Sequence, residues 1–518
     1  IHLRAFCCVM KKLGVFIPVL PGLVLLLALL APTLSIARSV PDALLSIGFL
    51  AAFLCIGISS AAAWRLTRLV LIPAVILAPL VTLYSLQVGT SPGEDVLMAL
   101  RLTNGREMLE LAIDASRDPR FWWWLTATLV IVVALWRGKP PQLELRHRRL
   151  LLLAGLSYVS LGLIHYSFFR NTIPVMPLVS QEVAFRTYPV SLLQPLTSAA
   201  LARMPDDAPG VPVKVRVGDD GKSPQVYVLV VGESARADHW HINGYSRQTT
   251  PAIEAIDGVV SLPYVRSIAD CTYIAVPGLM KMLNAQAYVE SSQGAGLPTL
   301  AEYFKAAGFF TAYVSMQELR LAERAGVATD YTRVLTSLNP DSITRDEVIL
   351  VELKRLLSVP SPRKFIVLHL FGSHVDYEQR YPPDFAKFSG GSDLRERRVA
   401  SYDNSLLYTD WVLSEIIGEL QKQAGEVVLA YVSDHGENLL DDSRKLYQHC
   451  GQVTNVDTHV AALFWSKNVR GAAKWENLRA NRLKYVGQEM VGATLLDFAG
   501  LVIDGSPRQI PESLGGVI

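Results

Sequence analysis

Glu233, Thr272, His374 and the Asp434–His435 pair each close a short apolar run, in VYVLVVGESARADHW, ADCTYIAVP, FIVLHLFGSHVDY and VVLAYVSDHGE. Carboxylates and an imidazole suit zinc, and a hydroxyl among them suits a metal-activated nucleophile. Three of the runs are β-rich, short and bounded by glycine, which is how buried parallel strands look. Ligands at the carboxyl ends of such strands converge on one crevice, where open α/β sheets place their chemistry. Asp434 and His435, adjacent and followed by Gly436 and Glu437, are the strongest local signal. Glu233 after Gly232 would also serve as a plain helix cap, and the case for Thr272 rests on the other residues.

The elements that must position these residues follow from hydropathy. Beyond Gln225, β-rich runs at 225–231, 309–315, 364–370, 427–433 and 459–465 alternate with helical patterns at 298–307, 346–358 and 402–422. That alternation predicts an α/β domain over 225–518, with a mostly parallel central sheet and helices on both faces. Residues 169–224 read as a bridging segment ending in the linker-like MPDDAPGVPVKVRVGDDGKSPQ.

Residues 1–168 read as a transmembrane domain. Five apolar stretches, at about 13–35, 43–63, 68–88, 121–137 and 148–168, are each near the roughly 20 residues a helix needs to cross a bilayer. Alternate connections are basic: Lys11 and Lys12, then Arg65 and Arg68, then Arg137, Lys139, Arg146, Arg148 and Arg149. The positive-inside rule makes these cytoplasmic, so an odd number of spans delivers everything after Phe169 to the opposite side. Met10-Lys11-Lys12 reads as a plausible true start, and no cleavage site for a signal peptide follows the first span. The 518 residues are 50% hydrophobic and 19% charged, with a net charge of +2. So small a charge, without a basic run in the second half, excludes nucleic acid as an expected partner.

Taken together the segments resemble the membrane-anchored phosphoethanolamine transferases of the alkaline-phosphatase-like, sulfatase-like superfamily. The matching stretches are VVGESARADHWHINGYSRQTTP, LHLFGSHVDYEQRYP, SYDNSLLYTD and SDHGE. The resemblance implies a five-helix membrane domain followed by an alkaline-phosphatase-like periplasmic domain, in the bacterial inner membrane. It implies a Zn2+ cofactor bound by Glu233, Thr272, Asp434 and His435, with Thr272 also the nucleophile and Pro277 at the family's spacing from it. It places His374 and His449 near the phosphoethanolamine group or a second zinc. The implied reaction moves phosphoethanolamine from phosphatidylethanolamine to a lipopolysaccharide acceptor, a core heptose or lipid A, through a phosphoethanolamine-threonine intermediate. The lipid A branch flanks its threonine with a disulfide whose positions here are Ile268 and Gly278, so this chain looks closer to the branch that decorates the core. The rival readings are a phosphoglycerol transferase or metal-dependent phosphatase of the same superfamily, and an inactive scaffold.

Cys271 adjoins Thr272 and Cys450 adjoins His449. They are expected as free thiols, because a bridge requires both loops to line one site. His369 reads as a core residue or a support for the ligands, while His239 and His241 read as surface or helix residues.

Overall fold

The computed structural model describes residues 29–35, 40–90, 116, 119–137, 144–164, 187–189, 191, 213–218, 223–291, 294, 296–317, 329–335, 345–504 and 509–516. They form two compact units, one within residues 1–202 and one mainly after residue 203.

The first unit contains α1 (Val40–Ile58), α2 (Ala61–Val88), α3 (Pro119–Arg137) and α4 (Leu145–Ile164). Among the described residues, α2 is the one helix long and apolar enough to cross a membrane. Its start corrects the expected boundary between the second and third spans. Ser60 caps α2, accepting the Ala63 N–H at 3.0 Å, so the break falls at Ser59–Ser60, and Arg65 and Arg68 lie inside the helix. Arg68 donates to the carbonyls of Leu135 and Trp136 at the end of α3. Arg146, Arg148 and Arg149 likewise belong to the first turns of α4. The first expected span before residue 29, most of the 89–120 loop and most of the bridging segment lie outside the described residues.

In the second unit, β1 (Lys214–Val217), β2 (Gln225–Gly232) and β3 (Val260–Arg266) lead to α5 (Thr272–Met280) and α6 (Leu300–Ala306). Then come β4 (Phe310–Ser315), β5 (Tyr331–Val334), α7 (Ile349–Leu357), β6 (Arg363–His369), α8 (Leu394–Gln421) and β7 (Glu426–Ser433). The chain closes with β8 (Asn438–Leu439), β9 (Tyr447–Gln448), β10 (His459–Lys467), α9 (Ala472–Asn481), β11 (Val486–Gly487), α10 (Glu489–Phe498) and β12 (Leu501–Asp504). Eight strands form the central sheet in the order β11-β3-β10-β7-β2-β6-β4-β5.

Every residue of β2 and of β7 is buried. Alternate side chains of β2 enter opposite cores: Tyr227, Leu229 and Val231 pack on the α5, α6 and α10 side, while Val226, Val228 and Val230 pack on the α7 and α8 side. Period-2 alternation with both faces covered is why these strands read as continuous apolar runs. The sheet is mixed, however. β10 runs antiparallel to β3 and β7, whereas the other neighbours pair in parallel. Between β7 and β10 lie only a short hairpin and the single helical turn Asn455–Thr458. Without a crossover helix the chain returns antiparallel. Strand β3 was not expected, because Pro263 interrupts VSLPYVR. The structure accommodates it with a register shift between Val460 and Ala462 of β10.

Candidate metal centre

The register of the sheet sets the site. Gly232 of β2 pairs with Ser433 of β7, so Glu233 and Asp434 leave adjacent strand ends side by side. His435 Nε2 lies 3.3 Å from Glu233 Oε1 and 3.3 Å from Asp434 Oδ2. Thr272 opens α5 and brings its Oγ1 to 3.2 Å from Glu233 Oε2 and 3.0 Å from His435 Nε2. The His449 ring lies tilted against His435, with centroids 4.1 Å apart, and His374 lies behind it at 5.9 Å. One ligand atom from each of Glu233, His435 and His449 falls within 4.8 Å of the others. The structure therefore brings all six of the expected residues into one cluster.

Surrounding groups fix these atoms. Ser234, in the left-handed region at φ 57°, donates its hydroxyl to Glu233 Oε1 at 2.7 Å, and Gln317 Nε2 donates to Oε2 at 3.1 Å. The Ser234 and His435 amides donate to Asp434 Oδ1. His435 Nδ1 sits 2.8 Å from the Gly436 carbonyl, so Nδ1 holds the proton and Nε2 presents a lone pair to the cluster. His449 Nδ1 lies 3.2 Å from Glu437 Oε2, which turns the other face of that ring inward. The loop carrying His374 hangs on Asp346, whose carboxylate accepts the Phe371 and Gly372 amides at 2.7 and 2.8 Å.

Burial dominates the electrostatics. Glu233 is pushed well above the usual carboxyl range by burial and then by the charge of Asp434. Burial lifts Glu437 to about 8. His374 is held well below 6.5 by burial, then by Arg380 and the neighbouring imidazoles, and His449 by burial and then His435. These imidazoles are neutral at pH 7. Neither Glu233 nor Asp434 has a Lys or Arg ion-pair partner among the described residues, and Asp434 Oδ2 is buried without a hydrogen bond. Buried acceptors without a donor, beside an imidazole lone pair, are what a divalent cation satisfies.

Several expectations need correction. Cys271 and Cys450 are not free thiols: they form a disulfide with Cα atoms 4.7 Å apart. The two loops do line one site, a tertiary fact that local sequence cannot carry. Of the two readings of His239, surface or helix, the helix holds: it closes the 3-10 turn Ala237–His239 and is buried, with Nδ1 2.7 Å from Asp403 Oδ1. His369 lies in the core as expected, its Nδ1 2.9 Å from the Tyr313 hydroxyl. Ile268 and Gly278, where the lipid A branch has its disulfide, touch each other: a Cβ on Gly278 would fall 2.0 Å from Ile268 Cδ1. Sequence reasoning missed Gln317, Ser267 and Gln488. The Ser267 hydroxyl bonds the Asp434 carbonyl, and Gln488 Nε2 donates to the Ser433 and Asp434 carbonyls at 2.7 and 3.1 Å.

An eight-stranded mixed sheet with acidic and imidazole side chains gathered at its strand ends defines an alkaline-phosphatase-like α/β domain, and the chain belongs to the sulfatase family, whose model matches residues 225–501. Within it the chain is similar to phosphoethanolamine transferase EptC of Escherichia coli K12, at 27% identity over 314 residues, 55% of this chain and 53% of the relative. Phosphatidylethanolamine transferase Mcr-1 of Escherichia coli is 31% identical over 271 residues, 49% of this chain and 50% of the relative. The chain thus spans about half the length of these curated relatives. The integral membrane lipooligosaccharide phosphoethanolamine transferase A of Neisseria meningitidis has the same fold, with a TM-score of 0.67, 22% identity and 84% of each chain covered.

Proposed function

We propose that this chain is a membrane-anchored, zinc-dependent phosphoethanolamine transferase that uses phosphatidylethanolamine as donor and a lipopolysaccharide as acceptor. The observation that carries the reading is the Thr272 hydroxyl, held between Glu233 Oε2 and His435 Nε2 at 3.2 and 3.0 Å. The named relatives are transferases of this head group. The five-span, inner-membrane reading rests on the apolar first third and on α2. The Cys271–Cys450 disulfide supports a periplasmic catalytic unit, because such bridges persist in oxidising compartments.

Glu233, Asp434, His435 and Thr272 would hold the zinc ion. When bound, it supplies Lewis acidity that makes the hydroxyl more acidic and offsets charge on the phosphoryl oxygens. Thr272 Oγ1 attacks the donor phosphorus, its proton passes to Glu233 Oε2, and the bond from phosphorus to the diacylglycerol oxygen breaks. That oxygen takes a proton from solvent, and phosphoethanolamine stays on Thr272. An acceptor hydroxyl or phosphate oxygen then attacks the same phosphorus, and Thr272 recovers its proton from Glu233. His449, oriented by Glu437, and His374 present neutral imidazoles that take the acceptor proton and bond the phosphoryl oxygens. The departure from the lipid A branch at Ile268 and Gly278 favours core heptose as acceptor. Donor and acceptor are both bilayer amphiphiles, which is the physical use of a membrane anchor.

The test is mass spectrometry of lipid A and core oligosaccharide, separately, from cells expressing the wild-type chain or Thr272→Ala. A phosphoethanolamine increment in one fraction that vanishes in the variant is expected. No increment in either fraction, or an increment of another head group, refutes the reading.

A further inference from the structure

One face of the sheet beside the catalytic cluster carries exposed aromatic rings that the fold does not bury. Tyr264 and Arg266, two apart on β3, point away from the core that Val265 enters, and His459 pairs with Arg266 across the ladder. On the other side Val486 pairs with Val265, which sets the preceding Tyr485 beside Tyr264. The Tyr264 and Tyr485 rings lie 4.8 Å apart, and the His459 ring is parallel to Tyr264 within 8°. His459 is fixed by its Nε2, which donates to the Pro263 carbonyl at 2.6 Å. Tyr485 is 86% exposed and Tyr264 36%. Large exposed aromatics grouped on one face mark a binding surface more often than a structural need.

The charge at this face is positive. Arg266 is exposed and has no ion-pair partner among the described residues, and Arg482 and Lys484 are exposed in the turn leading to Tyr485. Two acids are near: Asp238 is neutralised by Arg236 at 2.7 Å, and the Glu489 carboxylate lies against Gly487, which pairs with Arg266, so the three basic side chains outnumber the one carboxylate not paired with Arg236. The backbone of this face is tied to the reaction centre through buried groups. The Arg266 carbonyl accepts the Gln488 amide at 2.9 Å, and both Gln488 and Ser267, the residue after Arg266, bond the Asp434 carbonyl.

We propose that Tyr264, His459 and Tyr485 form a stacking platform for a sugar ring of the acceptor, with Arg266 bonding a phosphate on that sugar. The assignment rests on the transferase reading above. Flat rings meet the apolar C–H face of a pyranose, while a guanidinium bonds phosphate oxygens in pairs. A sugar lying here would reach toward Thr272 from the side of β3.

The test uses the full chain in detergent, with delipidated, phosphorylated core oligosaccharide as the probe in titration calorimetry. Tyr485→Ala, at a highly exposed position, and Arg266→Ala are each expected to weaken the dissociation constant about tenfold, and removing the probe's phosphates is expected to erase the difference between wild type and Arg266→Ala. Diacylglycerol release from phosphatidylethanolamine, the donor half-reaction, is expected to stay at the wild-type rate in both variants. Equal probe affinity in wild type and both variants would overturn the platform. So would unchanged probe affinity with lost association of Tyr485→Ala to anionic lipid vesicles, which would make the face a membrane contact. If the wild type releases no diacylglycerol, the transferase reading fails, and the calorimetry still decides the platform.

Discussion

Replacing both Cys271 and Cys450 by Ser is expected to lower stability far more than activity. The bridge closes a loop of 179 residues, and the chain-entropy relation assigns a loop of that size about 5 kcal/mol at room temperature. For a domain of this size that corresponds to a fall of about 10 °C in melting temperature. The local geometry has a second tether. The Cys450 amide donates to the Asp270 carbonyl at 2.9 Å, and the Gly451 amide donates to the Asp270 carboxylate at 2.9 Å. Thr272 is also held by Glu233 and His435 directly. Activity well below the melt is therefore expected to stay within about tenfold of wild type, since the loss of one tether of two leaves the hydroxyl placed.

The assay is near-ultraviolet circular dichroism against temperature for the full chain in detergent, with initial transfer rates at 20 to 30 degrees below the wild-type midpoint, about the range in which both proteins stay folded. A midpoint unchanged within about 1 °C would refute the entropy argument. A transfer rate lost by a thousandfold or more while the variant is still folded would refute the double-tether argument, and would make the bridge a positioning device for Thr272 and His449.

Gly372 has φ +50, and a Cβ there would lie 2.8 Å from the Glu233 carbonyl oxygen and 3.0 Å from its Cβ, so Gly372→Ala is expected to displace Glu233 and lower kcat/KM by tenfold or more, checked together with metal content. Asp410 accepts the Ala252 and Ile253 amides, and burial raises it to about 7. Its folded value lies above the unfolded one, so its contribution is full below about pH 4 and is lost as pH rises through about 7; Asp410→Asn is expected to flatten the decline of melting temperature over that window. Chelation is expected to lower the midpoint reversibly, with added Zn2+ at a hundred times its dissociation constant restoring about 2.7 kcal/mol. An unchanged midpoint after complete metal removal would contradict the reading of the cluster.

What could be read from sequence depended on whether the determining interactions were local. β2, β4, β6 and β7 were legible because strands buried on both faces are apolar without interruption. β3 was hidden by Pro263, whose missing N–H falls where β3 carries one extra residue against β10, between the pairs Val265–Val460 and Leu262–Ala462. α8 begins at Leu394, earlier than its apolar pattern, because Asp393 caps it through the Arg395 and Glu396 amides. Glu233, Asp434 and His435 stood out at strand ends. Gln317 and Gln488 did not, since a single amide side chain carries no local pattern and acquires its role only when the sheet closes around it.

The register that makes the ligands visible also makes the site costly. β2 pairs with β7 along its full length, from Gln225 opposite Glu426 to Gly232 opposite Ser433, so Glu233 and Asp434 cannot move apart without breaking two fully buried strands. Burial first, and then the like charge of Asp434, raise the pKa of Glu233. The surrounding donors offset only part of this cost. Ser234, Gln317 and Thr272 donate to Glu233, and two amides donate to Asp434 Oδ1, which leaves Asp434 Oδ2 without a donor, 3.3 Å from His435 Nε2, whose lone pair faces the Thr272 hydroxyl. A fold that satisfies Glu233 and one oxygen of Asp434 but leaves the other oxygen beside an imidazole lone pair concentrates its remaining electrostatic demand there. A bound cation would meet that demand, and under the proposed function the Thr272 hydroxyl would be the group whose chemistry changes most when the cation is present.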